Sequence, residues 1–431
     1  MSLENEITEK KVKIGIVGLG YVGLPLAVEM AKVDFNVVGI DLDCRKVDMI
    51  LRGENYIPDL NGDIIKNLVK SGHLKATNDF KVIGDLDVII ICVPTPLNKT
   101  REPDTSYIQG SINSISPYLK KGQLIILEST SYPGTTEEII LPVIKKYGLE
   151  VGKDIYVAFS PERVDPGNKK YSIKNTPKVV GGVTKDCTRI ASLLYAQVVD
   201  QVVSVSSPKT AEMTKLLENI FRCVNIALVN EIMILCDRMN IDVWEVVKAA
   251  STKPFGFMPF YPGPGLGGHC IPVDPFYLSW KAKEYDFYTE FIELAGKINQ
   301  NMPYYVVSKI AEALNDVQKS IKGSKILILG VAYKKDIDDL RESPALKVIE
   351  ILRQKGALVS YHDPYIDKIS VGDESFCSQP LSEDMLREND CAVVITDHSN
   401  VDYELIVNKA NLVVDTRNAL DEFSRGNIVK I

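Results

Sequence analysis

Residues 12–41 read VKIGIVGLGYVGLPLAVEMAKVDFNVVGID. An apolar strand, Val12–Val17, enters Gly18-Leu19-Gly20-Tyr21-Val22-Gly23, a helical pattern follows, and a second strand, Asn36–Ile40, ends at Asp41. A glycine turn between a buried strand and a helix, with an acid at the next strand end, is the context a dinucleotide-binding turn requires. Gly18 permits the tight turn, Gly20 lets backbone approach a pyrophosphate, and Gly23 lets helix and strand pack closely. The helix N-terminus offers N–H groups to phosphate. Asp41 suits ribose hydroxyls and repels a 2′-phosphate, which favours NAD over NADP, although Arg45 and Lys46 stand close by.

Working outward, further strands are expected at Asp87–Val93, Gln123–Leu127 and Ile155–Phe159, with helical segments between most of them. Such alternation predicts a parallel sheet with right-handed crossovers. From Pro208 to about Asn240 the pattern becomes one long helix, with Met213, Leu216, Leu217, Ile220, Val224, Ala227, Leu228 and Leu235 at helical spacing. At 1.5 Å per residue it spans about 50 Å, enough to bridge domains or subunits. At Lys325 the opening pattern returns: KILILG, a loop, the helix SPALKVIEILRQKGA, then LVSYHD ending at Asp363. CAVVITD (391–397) and NLVVDTRN (411–418) then parallel DVIIICV (87–93) and QLIILEST (123–130). The expected fold is α/β: two Rossmann-like doubly wound domains, 1–205 and 319–431, joined by a central all-helical region, 206–318, with one long helix.

The 431 residues carry 50 Lys+Arg and 57 Asp+Glu, a formal net charge of −7. A mildly acidic chain with no basic run is a poor partner for nucleic acid or an anionic membrane. Its longest apolar stretch, Val88–Val93, is far short of a membrane span. The charged N-terminus is expected to lead straight into the first strand, with no signal-peptide core. Eight cysteines form no C-x-x-C pair and, with four histidines, no zinc spacing, so no metal is expected. A reduced, cytoplasmic protein is the expectation.

Several segments carry candidate chemistry. Cys270 lies in Pro262-Gly-Pro-Gly-Leu-Gly-Gly-His-Cys270-Ile-Pro-Val-Asp274, a shaped loop in which a thiol near His269 and Asp274 is either a nucleophile or a packing residue. Glu212, Lys215 and Asn219 share one helix face, either as a solvated stripe or as part of a site. Glu128-Ser-Thr130 with Pro133-Gly-Thr135, and Ser160-Pro-Glu162-Arg163, follow strands, where α/β folds bind ligands. Tyr333-Lys334-Lys335 through Arg341-Glu-Ser-Pro344 takes the position of the glycine turn in the second repeat, with cations where the first supplies backbone. With Asp415-Thr-Arg417-Asn it suggests a second phosphate-bearing ligand.

In order along the chain, GLGYVGLP, VPTP, EST-x-x-PGT, SPER, E-x-x-K-x-x-x-N, GPGLGGHC-x-P-x-D, KK-x-x-x-D-x-R-x-SP and DTRN resemble the UDP-sugar 6-dehydrogenase family of the UDP-glucose/UDP-mannuronate type, over about residues 12–420. The resemblance implies an NAD-binding unit, a central helical dimerisation region and a UDP-binding unit. It also implies oxidation of a sugar C6 hydroxyl to a carboxylate with two NAD. It makes Cys270 the nucleophile that forms a thiohemiacetal and then a thioester. Lys215 and Asn219 become the oxyanion environment, Thr130 and Asp274 the holders of a catalytic water, and Glu162 an acid/base. It extends the cofactor set to Tyr21, Val22, Lys46, Thr95, Thr130 and Arg341. The substrate set becomes Glu162, Arg163, Lys215, Asn219, Tyr261, Gly263, Gly265, Lys334 and Arg417.

Around the nucleophile, GGHCIPVD looks most like the enzymes acting on UDP-N-acetylglucosamine in surface-polysaccharide pathways. UDP-N-acetylmannosamine, UDP-glucose and UDP-N-acetylgalactosamine are the alternatives. From other classes, a single-step dehydrogenase with Cys270 structural and an NAD- or nucleotide-binding regulator also remain open. The partners expected are the UDP-sugar and a second copy of the chain, in a homodimer or higher homo-oligomer.

Overall fold

Eight strands form the first sheet, in the order β3-β2-β1-β4-β5-β6-β7-β8. They are β1 (Lys13–Val17), β2 (Asn36–Ile40), β3 (Leu74–Thr77), β4 (Val88–Ile91), β5 (Leu124–Leu127), β6 (Tyr156–Phe159), β7 (Lys178–Gly182) and β8 (Val202–Val205). All neighbours are parallel except β6 and β7. The computed structural model describes residues 2–431 apart from 58, 59, 99–101, 166, 169 and 269.

Along β4, Val88 and Ile90 join one core while Ile89 and Ile91 join the other, so both faces of the sheet are covered. This two-sided burial explains why β4 is apolar throughout rather than alternating. Each isoleucine so buried contributes about 1.5–3 kcal/mol. The N-terminus departs from expectation, because Leu3–Thr8 is a helix rather than a lead into the strand. Ser2 caps it, Glu4 and Glu6 sit in its first turn where the dipole favours acids, and Ile7 is wholly buried in the core.

The second sheet has the order β10-β9-β13-β14-β15, all parallel: β9 (Lys325–Leu329), β10 (Leu358–His362), β13 (Cys391–Val394), β14 (Val413–Asp415) and β15 (Ile428–Lys430). A small antiparallel pair, β11 (Lys368–Val371) and β12 (Glu374–Cys377), lies apart from it. Ile326 and Ile328 of β9 enter one core, Leu327 and Leu329 the other. The internal repeat therefore holds at the level of strand order: β10-β9-β13-β14-β15 repeats β2-β1-β4-β5-β6.

The chain divides into two compact units, residues 1–218 with 276–287, and residues 219–275 with 288–431. The long helix, Pro208–Met239, runs through the boundary. Leu216, Cys223, Ala227, Met233 and Cys236 are buried along it, while Leu217, Phe221, Leu228, Ile232, Leu235 and Met239 are exposed. By length and composition it is apolar enough to cross a membrane, with a window of mean hydropathy 1.5. Its mixture of buried core positions and buried polar groups is that of a packed helix with one unpartnered apolar face.

Candidate active site

In the first unit the glycine turn has the geometry its residues predict. Gly18 has φ +95°, and a Cβ there would lie 2.6 Å from the Cys92 carbonyl oxygen. A Cβ on Gly23 would fall 1.9 Å from the Gly18 carbonyl, so the helix starts as close to the strand as glycine allows. Gly20 has nothing within 4 Å of where its side chain would be. That open space beside a helix start is where a pyrophosphate fits. Asp41 accepts from the Leu19 and Asp43 N–H groups at 2.8 and 2.9 Å, and Lys46 pairs with it at 3.3 Å. Tyr21 is 48% exposed, Val22 is half-buried, and Thr95 is buried with its carbonyl accepting from Tyr277 Oη at 2.8 Å.

At the ends of β5 and β6 lies a buried charge cluster. Lys178 Nζ is 3.0 Å from Glu128 Oε1 and 3.1 Å from Glu162 Oε2, with 4% of its side chain exposed. Glu162 Oε1 accepts from the Arg163 and Val164 N–H groups, both at 2.7 Å. Burial pushes the Glu162 carboxyl up, but the Lys178 charge and these hydrogen bonds outweigh it and hold it below the usual range. Burial wins at Glu128, whose carboxyl is pushed up, although it accepts from Lys178 and Tyr195. Arg163 is turned to the framework, donating to Glu218 at 2.7 Å and to the Pro177 carbonyl at 2.6 Å. Thr130 sits half-buried beside Ser129, whose Oγ donates to the Val93 carbonyl at 2.8 Å.

On the long helix, the reading of Glu212, Lys215 and Asn219 as a solvated stripe is overturned: they are 1%, 8% and 5% exposed. Glu212 accepts from the Gly134 N–H at 2.6 Å and from the Thr136 N–H and Oγ1 at 2.9 and 2.7 Å. It fastens the PGT loop to the helix, while burial pushes its carboxyl up. Among the described residues the Lys215 ammonium makes no hydrogen bond or ion pair. A nearly buried cation left in that state suits an oxyanion.

In the second unit, Asn219 Nδ2 donates to Asp274 Oδ2 at 2.5 Å. Asp274 begins the helix Asp274–Ala282, and its N–H donates to the Cys270 carbonyl at 2.8 Å. Cys270 itself is half-buried. The loop before it packs tightly: a Cβ on Gly263 would lie 2.6 Å from Arg417 Nη1, and one on Gly267 would lie 2.4 Å from Tyr333 Cβ. Gly265 has φ +135°, and the Gly268 N–H donates to the Arg341 carbonyl at 2.8 Å. The structure thus brings Cys270, Asp274, Asn219, Gly263, Gly265, Arg417 and the Lys334 segment into one neighbourhood. Arg417 Nε donates to the Ile395 carbonyl at 2.9 Å, and burial lowers the Arg417 pKa. Lys334 is half-buried, Arg341 pairs with Asp339 at 2.6 Å, and Tyr261 is exposed and stacks on Trp244. His269 lies outside the described residues.

Three residues escaped the sequence reading. Asn230, fully buried, accepts from the Gly263 N–H at 2.9 Å and donates to Asn299 at 3.0 Å, tying the glycine loop to the long helix. His398, fully buried, donates from Nε2 to Asp363 at 3.1 Å and accepts the Asp336 N–H at 2.9 Å, holding the Lys334 loop. The hydrogen bonds assign it the Nε2–H tautomer. Lys178 heads the apolar run KVVGG, and a lysine at the mouth of a buried strand was the available signal.

Three models of the UDP-glucose/GDP-mannose dehydrogenase family match the chain: the NAD binding domain over residues 12–199, the central domain over 209–301 and the UDP binding domain over 327–422. The UDP-N-acetyl-D-mannosamine dehydrogenase of Methanococcus vannielii is 35% identical over 427 residues, covering 96% of this chain and 94% of that one. The UDP-N-acetyl-D-glucosamine 6-dehydrogenase of Salmonella typhi is 36% identical over 391 residues, covering 90% of each. Among solved structures, that of the UDP-D-ManNAc dehydrogenase from Pyrococcus horikoshii superposes with a TM-score of 0.88 at 34% identity, covering 97% of this chain and 99% of that one.

Proposed function

The chain belongs to the UDP-glucose/GDP-mannose dehydrogenase family, and from that premise we propose that it oxidises the C6 hydroxyl of UDP-N-acetylglucosamine to a carboxylate through a covalent bond to Cys270. What supports the reading most is the second unit's glycine loop, which carries Cys270 and lies against both Arg417 and the segment bearing Lys334. A thiol and cations for a nucleoside diphosphate are thereby within one neighbourhood.

NAD, when bound, takes up the hydride of each oxidation step. The chain's own residues handle the rest. The first oxidation converts the alcohol to an aldehyde, and its hydroxyl proton leaves through a water held by Thr130 and Asp274, with Glu162 as base. Lys215 and Asn219 stabilise charge on the C6 oxygen. Cys270 Sγ adds to the aldehyde carbon, giving a thiohemiacetal whose C6–H leaves as the second hydride. The resulting thioester is cleaved by water, releasing the carboxylate and the thiol. Overall one alcohol, one water and two NAD give one carboxylate, two NADH and three protons.

The relatives named for the mannosamine substrate make UDP-N-acetyl-D-mannosamine the second reading. Initial rates across UDP-N-acetylglucosamine, UDP-N-acetylmannosamine, UDP-N-acetylgalactosamine and UDP-glucose separate them. The highest kcat/KM is expected for UDP-N-acetylglucosamine, and a higher value for another sugar reassigns the substrate. Cys270→Ser is expected to abolish steady-state uronate production with UDP-sugar binding kept; unchanged production removes the covalent step. The exposed stripe Leu217–Met239 is assigned to a second copy of the chain. Sedimentation should give twice 47.9 kDa, and Leu228→Glu should give the monomer. The proposal includes a cytoplasmic location, where a reactive thiol stays reduced.

A further inference from the structure

The buried cluster at the ends of β5 and β6 contains a cation that neither the sequence motifs nor the proposed chemistry uses. Lys178 reaches two carboxylates on neighbouring strand ends, Glu128 and Glu162. Its side chain is 4% exposed, that of Glu128 0% and that of Glu162 14%. Burying three charges costs several kcal/mol per ion unless each is paired and hydrogen-bonded. Here all the contacts made by Glu162 come from donors: the Arg163 and Val164 N–H groups on Oε1, and the Lys178 ammonium on Oε2.

A carboxylate has about four acceptor positions. Oε1 has used both of its positions, and Oε2 has used one. The remaining position on Glu162 therefore belongs to the same oxygen that Lys178 holds. Any water or hydroxyl accepted there meets a base whose strength the ammonium sets directly.

We propose that Lys178 is a positioning residue for Glu162: a buried ammonium that ties the Thr130-bearing segment to the SPER loop and fixes Glu162 as an ionised acceptor. This rests on the proposed role of Glu162 in C6 oxidation. The charged and titratable groups facing the pair are Glu128, with the Tyr195 hydroxyl and the Cys92 thiol behind it, and Arg163, which is paired with Glu218. Glu128 and Glu162 compete for one cation. The directions of their shifts agree: burial lifts the Glu128 carboxyl, whereas Lys178 helps hold that of Glu162 down.

Removing the ammonium should therefore move the acid limb of the pH–rate profile one way, and removing its competitor should move it the other. In the full-length enzyme with NAD and UDP-N-acetylglucosamine, Lys178→Met is expected to raise the acid limb of kcat by about one pH unit or more and lower kcat about 10-fold or more. UDP-sugar affinity should stay within about 3-fold. Glu128→Gln should lower the same limb, and Lys178→Arg should restore most of the wild-type profile. The double variant Glu128→Gln/Lys178→Met keeps the net charge of the cluster, so it covers the case in which Lys178→Met does not fold. Its limb should lie above that of Glu128→Gln, because the two single shifts oppose each other. A wild-type limb in folded Lys178→Met, or a double variant whose limb coincides with that of Glu128→Gln, overturns the proposal, as do shifts of one sign in both single variants. If the wild type oxidises no UDP-sugar, the proposed function has failed instead. The clamp is then still read from the Glu162 carboxyl titration by 13C-glutamate NMR, assigned with Glu162→Gln: a rise in Lys178→Met supports it, and no change refutes it.

Discussion

After β1 the chain turns at Gly18 and leaves the space beside Gly20 empty; after β9 it turns at Gly330 and fills the corresponding stretch with side chains. The two turns start alike. The Gly18 N–H donates to the Ile40 carbonyl at 2.8 Å, and the Gly330 N–H to the His362 carbonyl at 2.9 Å. An acid at the next strand end then closes each turn, Asp41 on the Leu19 N–H and Asp363 on the Val331 N–H. Beyond that point they part. The first turn opens a helix at Gly23 and offers backbone to an anion. The second continues as a loop pinned by Asp336, whose carboxylate accepts from the Ser399 N–H and Oγ and whose own N–H meets His398. One scaffold thus yields a backbone cradle in one copy and a side-chain platform in the other.

The largest effect should come from the shared part. Gly330 has φ +79°, and a Cβ there would lie 2.3 Å from the Thr396 carbonyl oxygen. Left-handed strain and overpacking together make Gly330→Ala cost about 3 kcal/mol, read as a lowered midpoint in urea. An unchanged midpoint would break the equivalence of the two turns.

Next comes the cradle. Gly20→Val enters open space, so the midpoint should hold while kcat/KM for NAD falls about 100-fold, or about 2.7 kcal/mol. Loss of fold without loss of NAD affinity would show that Gly20 serves packing rather than phosphate.

The platform should respond through its charges. Arg417→Met is expected to raise KM for the UDP-sugar by about 10- to 30-fold, the worth of one charge-assisted contact to phosphate, with KM for NAD unchanged. Equal rises in both constants would remove the division of labour between the copies.

The smallest effect is one of pH. Burial raises the Asp363 carboxyl, but hydrogen bonds from His398, Val331 and Tyr365, with the His398 interaction, outweigh it and lower its pKa in the fold. A lowered folded pKa stabilises above the unfolded value of about 3.9, and that contribution is lost as pH falls through the folded pKa. The stability gap between wild type and Asp363→Asn should therefore be full at pH 7 and close below about pH 4. A gap that does not change with pH would mean that packing, not charge, sets it.

The strand–turn–strand units at β1–β2 and β9–β10 were legible because they rest on short-range patterns: an apolar run, a glycine and an acid at the next strand end. Lys178 and the antiparallel β7 were not, because the pairing of β7 and the role of its first lysine depend on β6, Glu128 and Glu162, distant in sequence. The helix face of Glu212, Lys215 and Asn219 was visible by spacing, but its burial was not, since periodicity cannot say what covers a polar stripe. Asn230 and His398 act through backbone groups far along the chain, the Gly263 and Asp336 N–H groups, for which no local motif exists.

Cys270 is proposed to carry the sugar through both oxidations. The direct test counts NADH per UDP-N-acetylglucosaminuronate formed with limiting sugar and excess NAD. Two NADH per uronate, with no free aldehyde trapped by hydroxylamine, is the predicted result. One NADH per sugar, with the aldehyde as product, would contradict it and return Cys270 to the packing residues.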